Sequence, residues 1–280
     1  MKSADAITHI VDVLQPAVGE QEAKNISRII LEDAFALSYP FVSGEVEKEK
    51  LEIILHQVKS GHPIQYVLGS AHFYGFDLKV NEHVLIPRPE TEELLYSVFE
   101  HYKNKSRPLR ILDIGTGSAC IPVVLKSKFP DAAITAIDVS SEALEVASFN
   151  VENQGFSGVG FKCLDFLDRG LWNQLNQSWD LIISNPPYIP HTEKKLMTSS
   201  TVAHEPHLAL FTNDAEGQEF YMAIAEFAKA YLNPEGVVFC ELNEYWSKTT
   251  IEHFKNQTFQ SVSCIKDMQG KERILKASLT

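Results

Sequence analysis

Apolar residues recur along this chain at two different periods, and the change of period divides it. Up to about residue 70 they fall at helical spacing. Ile7, Ile10, Val11 and Leu14 lie on one helical face, with Ser3 as the expected N-cap. Ile26, Ile29, Ile30, Ala34 and Leu37 make a second stripe. Leu51, Ile54, Leu55 and Val58 make a third, closed by Gly61 at the helix end. Three amphipathic stripes in a row predict a small helical bundle whose apolar faces cover one another.

The pattern then shifts to that of strands. Residues 73–80 and 83–86 read as the arms of a hairpin around Asn81-Glu82. Pro87-Arg88-Pro89 follows, and a helix is expected from Pro89, where Glu90, Glu92 and Glu93 suit the positive helix N-terminus. From about residue 108, short apolar strands alternate with helices. Strands are predicted at 110–114, 133–137, 158–163, 181–184 and 237–242, with helices near 118–128, 141–152 and 217–231. Two final strands, 259–266 and 272–278, turn around Gln269-Gly270. Such alternation predicts an α/β fold, a mostly parallel sheet covered by helices on both faces. In that architecture ligands bind beyond the carboxyl ends of the strands.

Composition narrows the class. The 280 residues carry a formal net charge of -12, the opposite of the basic surplus that neutralises nucleic-acid phosphates. The polar N-terminus lacks the apolar core of a secretory signal, and no apolar run is long enough for a membrane span. The four cysteines, Cys120, Cys163, Cys240 and Cys264, form no C-x-x-C pair and read as buried reduced thiols of a cytoplasmic protein.

Candidate chemistry collects where strands stop. After the first parallel strand comes Asp113-Ile114-Gly115-Thr116-Gly117-Ser118-Ala119. Gly115 and Gly117 allow a tight turn and close approach to a ligand. The third glycine of the dinucleotide fingerprint is replaced by Cys120, and Asp113 precedes the loop. A carboxylate there repels a pyrophosphate and suits a cation, which favours S-adenosylmethionine, with its sulfonium and ammonium groups, over a dinucleotide. Asp138 ends the next strand, about twenty residues on, where an acid binds ribose hydroxyls; the competing reading is a cap on the following helix. After the third strand, Asp165 is a candidate acceptor for an adenine amino group, with Phe166 covering the ring; otherwise the pair is a loop acid beside a core aromatic.

The most specific string is Asn185-Pro186-Pro187-Tyr188, directly after an apolar strand. Two prolines fix the backbone and remove two N–H groups. The Asn185 side-chain oxygen and the Pro186 carbonyl then form two acceptors for a planar NH2 group, with Tyr188 against its plane. Asn185, Pro186 and Tyr188 are accordingly the expected catalytic residues, Pro187 joins them in substrate binding, and Asn185 is also expected at the cofactor.

Three further segments, Gly61-His62-Pro63-Ile64-Gln65-Tyr66-Val67-Leu68-Gly69, Phe73-Tyr74-Gly75 and Val84-Leu85-Ile86-Pro87-Arg88-Pro89-Glu90-Thr91-Glu92, join these motifs. Together they resemble the peptide chain release factor glutamine methyltransferases over most of the chain. The Arg-Pro-Glu-Thr form is closer to that branch than to the ribosomal-protein glutamine methyltransferases. The resemblance implies a helical substrate-recognition domain at 1–71, a β-hairpin linker at 72–90 and a seven-stranded, Rossmann-like methyltransferase domain at 91–280. It implies methyl transfer from S-adenosylmethionine, without a metal, to the glutamine of the Gly-Gly-Gln motif in class-1 release factors. It further implies a cytoplasmic monomer that touches neither nucleic acid nor membrane. Two positions depart from the family pattern: Ala119 stands where glycine is frequent, and Glu241 is followed by Leu242-Asn243-Glu244 without a glycine. Segment 267–273 matches the family's ending. Arg88, Pro89, Thr91 and Glu241 are expected at the site or at the domain junction.

Other readings carry less weight. His204-Glu205-Pro206-His207 lacks H-E-x-x-H spacing, and Pro206 disfavours the helix that would align two histidine ligands. An adenine amino methyltransferase uses the same four-residue motif, but the net acidity and the Arg88-Pro89-Glu90-Thr91 segment oppose it. An adaptor with an inactive cofactor domain is opposed by the intact Asp113, Asp138 and Asn185.

Overall fold

A computed structural model describes residues 1–37, 44–105, 107–257 and 259–280. The N-terminal helices are α1 (Ser3–Val18), α2 (Glu20–Ile29), which continues as a wider π turn over Ile30–Ala34, α3 (Lys48–Lys59) and the short α4 (Ile64–Leu68). Their stripes meet as the spacing predicts: Ile10, Leu14, Ile26, Ile30, Leu51, Leu55 and Val58 close one apolar core of their own. Ser3 is the first helical residue rather than the cap; Lys2 holds the capping position without a side-chain hydrogen bond.

The hairpin differs from expectation. Its strands are β1 (Ser70–Phe73) and β2 (Phe76–Lys79), paired Phe73 with Phe76, so the turn is Tyr74-Gly75 and not Asn81-Glu82. Both turn residues adopt positive φ, +48° and +84°, the geometry that two-residue hairpin loops require. Residues 83–86 are not a strand. Val84 and Ile86 instead bury against Val80, Ala143 and Val146 in a small cluster of their own.

The rest is one sheet between two helical layers. In chain order it comprises α5 (Pro89–Tyr102), β3 (Arg110–Ile114), α6 (Cys120–Lys128), β4 (Ala133–Asp138), α7 (Ser141–Asn153), β5 (Val159–Cys163) and β6 (Trp179–Ser184). Two-residue strands β7 (Ile189–Pro190) and β8 (Phe211–Thr212) flank short helices α8 (Ser199–His204) and α9 (His207–Leu210). Then come α10 (Glu219–Tyr231), β9 (Leu232–Glu241), α11 (Ser247–Asn256), β10 (Ser261–Lys266) and β11 (Glu272–Ser278). Helix α11 has no counterpart in the sequence reading. The seven strands run β10-β11-β9-β6-β3-β4-β5, with β11 antiparallel to both neighbours and the others parallel where they pair.

Side chains alternate across this sheet, as the pleat requires. Ile111, Ile134, Leu181, Ile183, Val237 and Phe239 face α5, α6 and α7. Leu112, Ile114, Ile182, Val238 and Cys240 face α10 and Phe254 of α11. All six residues of β6 are buried, with the apolar centre Leu181-Ile182-Ile183 between the hydrogen-bonded Asp180 and Ser184. From β3 the chain builds outward through β4 to β5, then crosses back to β6 on the other side. The carboxyl ends of β3 and β6 therefore border the switch point where such sheets bind ligands. Of the cysteines, Cys240 is buried, Cys120 and Cys264 are half-buried, and Cys163, on the edge strand β5, is exposed; buried thiols were expected throughout.

Candidate active site

A cavity of about 330 Å³ opens at that switch point. Its wall includes Gly115, Thr116, Gly117 and Ser118 after β3, Asp138 after β4, Asp165 and Phe166 after β5, and Asn185 and Pro187 after β6. Arg88 and Thr91 at the start of α5, Leu208 in α9 and Phe220 in α10 complete it. Residues as distant in sequence as Gly115 and Pro187 are thus brought together because each ends a parallel strand or lies in the turn after one. Asp113, Ala119, Pro186 and Tyr188 do not reach this wall.

The β3 loop is held in a conformation suited to a ligand. Gly115 and Gly117 have φ of +73° and +52°, and a Cβ at either would meet open space. Space alone would admit a side chain, but the left-handed backbone favours glycine. Ala119 also sits at φ +60°, a left-handed backbone that a glycine would adopt without strain. Asp138 Oδ2 accepts from the Gly117 N–H at 2.9 Å and its Oδ1 from the Ser140 N–H at 3.0 Å, tying the two loops together. The helix-cap role itself belongs to Ser140, whose hydroxyl accepts from the Ala143 N–H. Asn150, on α7, buttresses the loop from behind: its amide donates to the carbonyls of Ser118 and Lys79 and accepts from the Lys79 N–H. This residue, which joins β2 to the loop, escaped the sequence reading because nothing in a helical run marks it.

Asp113 lies fully buried behind the loop. Six buried side-chain polar atoms lack a hydrogen-bond partner among the described residues, and four of them are Asp113 Oδ1 and Oδ2, Thr116 Oγ1 and Ser118 Oγ. Native proteins leave few such atoms, each at a cost of about 1–3 kcal/mol, so their concentration in one loop marks a place built for polar contacts from outside the chain. Burial pushes the Asp113 carboxyl up to about 7; the nearby Thr116 hydroxyl offsets part of that rise without a well-formed hydrogen bond, and Asp138 adds to it. The residues fit a ligand that brings positive charge and hydrogen-bond donors.

Asp165 is exposed, with Oδ1 accepting from the Leu167 N–H at 2.9 Å. Phe166 reaches the cavity wall from within the core, packed against Trp172 and Phe227.

The Asn-Pro-Pro-Tyr turn is anchored from several sides. Ser184, the last residue of β6, donates to the Ile114 carbonyl at 2.7 Å and locks the ends of β6 and β3 together. Asn185 Nδ2 donates to Thr91 Oγ1 at 3.0 Å. The Thr91 hydroxyl donates to Glu241 Oε2 at 2.7 Å, and the Tyr188 hydroxyl donates to Glu241 Oε1 at 2.9 Å. Glu241 is 1% exposed at the end of β9. Burial raises its carboxyl above the usual range, while Thr91, Tyr188 and Arg273 oppose the rise. Burial and the same carboxylate push the Tyr188 phenol well above its usual value, so it is a donor. Gly217 closes the back of the turn: a Cβ there would lie 2.4 Å from the Tyr188 carbonyl oxygen. The sequence reading sets Gly217 at the start of the 217–231 helix, which begins instead at Glu219.

Arg88 pairs with Glu205 Oε1, and the Ile86 N–H donates to Glu205 Oε2 at 3.3 Å. This joins the segment before α5 to the α8–α9 turn over the cavity. The His-Glu-Pro-His string is thereby accounted for: Glu205 takes Arg88, the His204 ring packs on His62 at 4.2 Å, and His207 contacts Val202 and Phe211. No cluster with metal-ligand composition occurs among the described residues, and none of the described helices is long and apolar enough to cross a membrane.

Comparison with known proteins agrees with this geometry. A family model described as the methyltransferase small domain matches residues 91–213. Among solved structures, a methyltransferase from Pyrococcus furiosus aligns with a TM-score of 0.51 at 22% identity, covering 74% of this chain and 90% of that one. The hMettl16 catalytic domain, in complex with the MAT2A 3'UTR hairpin 6, aligns at 0.58 with 18% identity, covering 85% of each chain. These two likenesses speak for the fold alone. A release factor glutamine methyltransferase of Flavobacterium psychrophilum is 38% identical, covering 97% of this chain and 97% of its own. That of Bacteroides thetaiotaomicron is 36% identical over 96% and 98%. With relatives this similar over nearly their whole length, the chain belongs to the release factor glutamine methyltransferase family.

Proposed function

We propose that this protein transfers a methyl group from S-adenosylmethionine to the side-chain amide nitrogen of the glutamine in the Gly-Gly-Gln motif of class-1 release factors. One observation carries the chemistry: Asn185, whose amide is oriented through Thr91, lines the same cavity as the loop with the unsatisfied Asp113, Thr116 and Ser118. The similarity to release factor glutamine methyltransferases over almost the full chain supports the substrate and weighs against an adenine amino group.

The Asp113–Ser118 loop and Asp138 are the residues we assign to holding the cofactor, with Asp165 and Phe166 at its base. When bound, S-adenosylmethionine supplies a methyl carbon activated by a positively charged sulfur. No metal is assigned a part. An amide nitrogen is a weak nucleophile, because its lone pair is shared with the carbonyl. Asn185 Oδ1 and the Pro186 carbonyl accept from its two N–H groups, hold the nitrogen in place and stabilise positive charge as it grows there. Pro187 lines the cavity beside Asn185, and Tyr188, tied to Glu241 behind the wall, is assigned to pack against the amide plane once the substrate enters the turn. Alignment and preorganised dipoles are the expected sources of rate. The N–C bond forms as the sulfur–methyl bond breaks, leaving S-adenosylhomocysteine; one N–H proton, held by the acceptors as its acidity rises, is then lost to water, so none need be removed beforehand.

We assign residues 1–71 to recognition of the protein substrate, with 91–280 as the catalytic part acting as a cytoplasmic monomer. The test is mass spectrometry of a class-1 release factor after incubation with this protein and S-adenosylmethionine, beside a control factor carrying Asn in place of the motif glutamine. One methyl group on the glutamine, absent from the control, establishes the reaction. Cofactor binding without methylation would overturn the substrate assignment, and methylation of an adenine-containing nucleic acid instead would replace it.

A further inference from the structure

We infer that Thr91 is a positioning residue, held by the Glu241 carboxylate, that sets which end of the Asn185 amide is presented to the substrate. The inference rests on the role of Asn185 proposed above. An amide side chain has a donor end and an acceptor end of nearly the same shape. Only the acceptor end serves a substrate NH2 group, so something must define the rotamer. The hydrogen-bond chain does so by its direction. Glu241 accepts at both of its oxygens, Oε2 from the Thr91 hydroxyl and Oε1 from the Tyr188 hydroxyl. With its one hydrogen committed to Glu241, Thr91 Oγ1 has only lone pairs left for Asn185. Nδ2 therefore turns toward Thr91 at 3.0 Å, and Oδ1 is left for the substrate.

The placement suits the task. Thr91 is 1% exposed in the first turn of α5, Glu241 ends β9 and Asn185 follows β6. Three separate elements of the sheet and its covering layer thus meet at one hydroxyl. A buried hydroxyl has no need of a carboxylate for stability alone, since any carbonyl would satisfy it; an acceptor-only partner is what gives the chain its polarity. The same carboxylate fixes the Tyr188 hydroxyl, so both polar side chains of the turn take their orientation from Glu241.

The experiment compares wild type with Thr91→Ser, Thr91→Val, Asn185→Ala and the double variant Thr91→Val/Asn185→Ala, in the full chain. Steady-state methylation of a release factor is measured, together with S-adenosylmethionine affinity by calorimetry. Valine keeps the shape and removes the hydroxyl; serine restores it. The expected result is a kcat for Thr91→Val lowered by about 100-fold, with cofactor affinity and the KM for S-adenosylmethionine essentially kept, and recovery in Thr91→Ser. In the Asn185→Ala background the valine substitution should cost nothing further, because the amide it orients is gone. Equal activity of the valine and serine variants would overturn the inference, as would effects that multiply in the double variant. A second readout is independent of turnover. The Asn185 side-chain NH2 signal in ¹⁵N-resolved NMR should show one slowly exchanging proton in wild type and Thr91→Ser, and lose that protection in Thr91→Val. Unchanged protection in the valine variant would also overturn it. If the wild-type protein methylates no release factor, the proposed substrate fails, and the NMR comparison still decides the role of Thr91.

Discussion

Asn185 and Thr91 are 94 residues apart in sequence, yet the amide of the first donates to the hydroxyl of the second at 3.0 Å. One lies in the turn after a central strand and the other in the first turn of a covering helix. Their contact makes the Asn-Pro-Pro-Tyr turn more than a local motif, because its key side chain is oriented from outside it.

Replacing Asn185 by Ala should abolish most of the methyl transfer while leaving cofactor binding largely intact. Removal of one such preorganised acceptor is expected to cost on the order of 100- to 1,000-fold in kcat, by analogy with the loss of an oxyanion donor. Parallel calorimetry and turnover assays test this; an equal loss of both would show that Asn185 serves mainly the cofactor.

Asp113 should make cofactor affinity depend on pH. Its folded value of about 7 lies above that of an ordinary carboxylate, so the free protein favours the protonated form. The stability this group contributes is therefore fully present below the unfolded value, about 3.9, and is lost as pH rises toward and through about 7. A bound cation favours the ionised form, so affinity for S-adenosylmethionine should rise between pH 6 and pH 8, by on the order of tenfold. Asp113→Asn should remove that slope and, in the ligand-free protein, gain stability relative to wild type above neutral pH. Calorimetric titrations at the two pH values and urea unfolding across the range measure both effects.

Gly217→Ala places a methyl group where the Tyr188 carbonyl oxygen already stands, at a backbone φ of +67°. The expected loss of stability is more than about 1 kcal/mol, and activity should fall further than stability alone explains, because the turn must shift. Crystallography of the variant would reveal a displaced Tyr188; an unmoved turn would contradict the expectation.

Arg88→Ala leaves the buried Glu205 with only the Ile86 N–H as a partner. Because the Arg88 side chain is 35% exposed, the cost should be smaller than for a fully buried pair, about 1–3 kcal/mol. Glu205→Gln, which keeps one acceptor oxygen and removes the buried charge, should cost less. Urea unfolding of the two variants ranks them, and the reverse order would remove the ion pair from the account of how the segment before α5 is held.

What the sequence by itself determined was local and periodic. Helical spacing predicted the three N-terminal stripes, and short apolar runs alternating with helical segments predicted the α/β sheet, because both follow from which faces must leave water. Asp113, Gly115, Gly117, Asp138 and Asn185 were legible for a related reason: in a parallel sheet the carboxyl ends of the strands share one edge, so residues that end strands meet there whatever their separation. The hairpin turn was misplaced. Tyr74-Gly75 and Asn81-Glu82 are both acceptable turns locally, and the choice between them is made when Val84 and Ile86 bury beside α7. Only the tertiary structure decided that Asn185, Thr91 and Glu241 form one hydrogen-bonded chain, that Gly217 backs Tyr188, that Asn150 braces the loop after β3 and that Arg88 pairs with Glu205. A hydrogen bond depends on angles and tenths of an ångström between elements distant in sequence, and no spacing along the chain encodes those before the layers have packed.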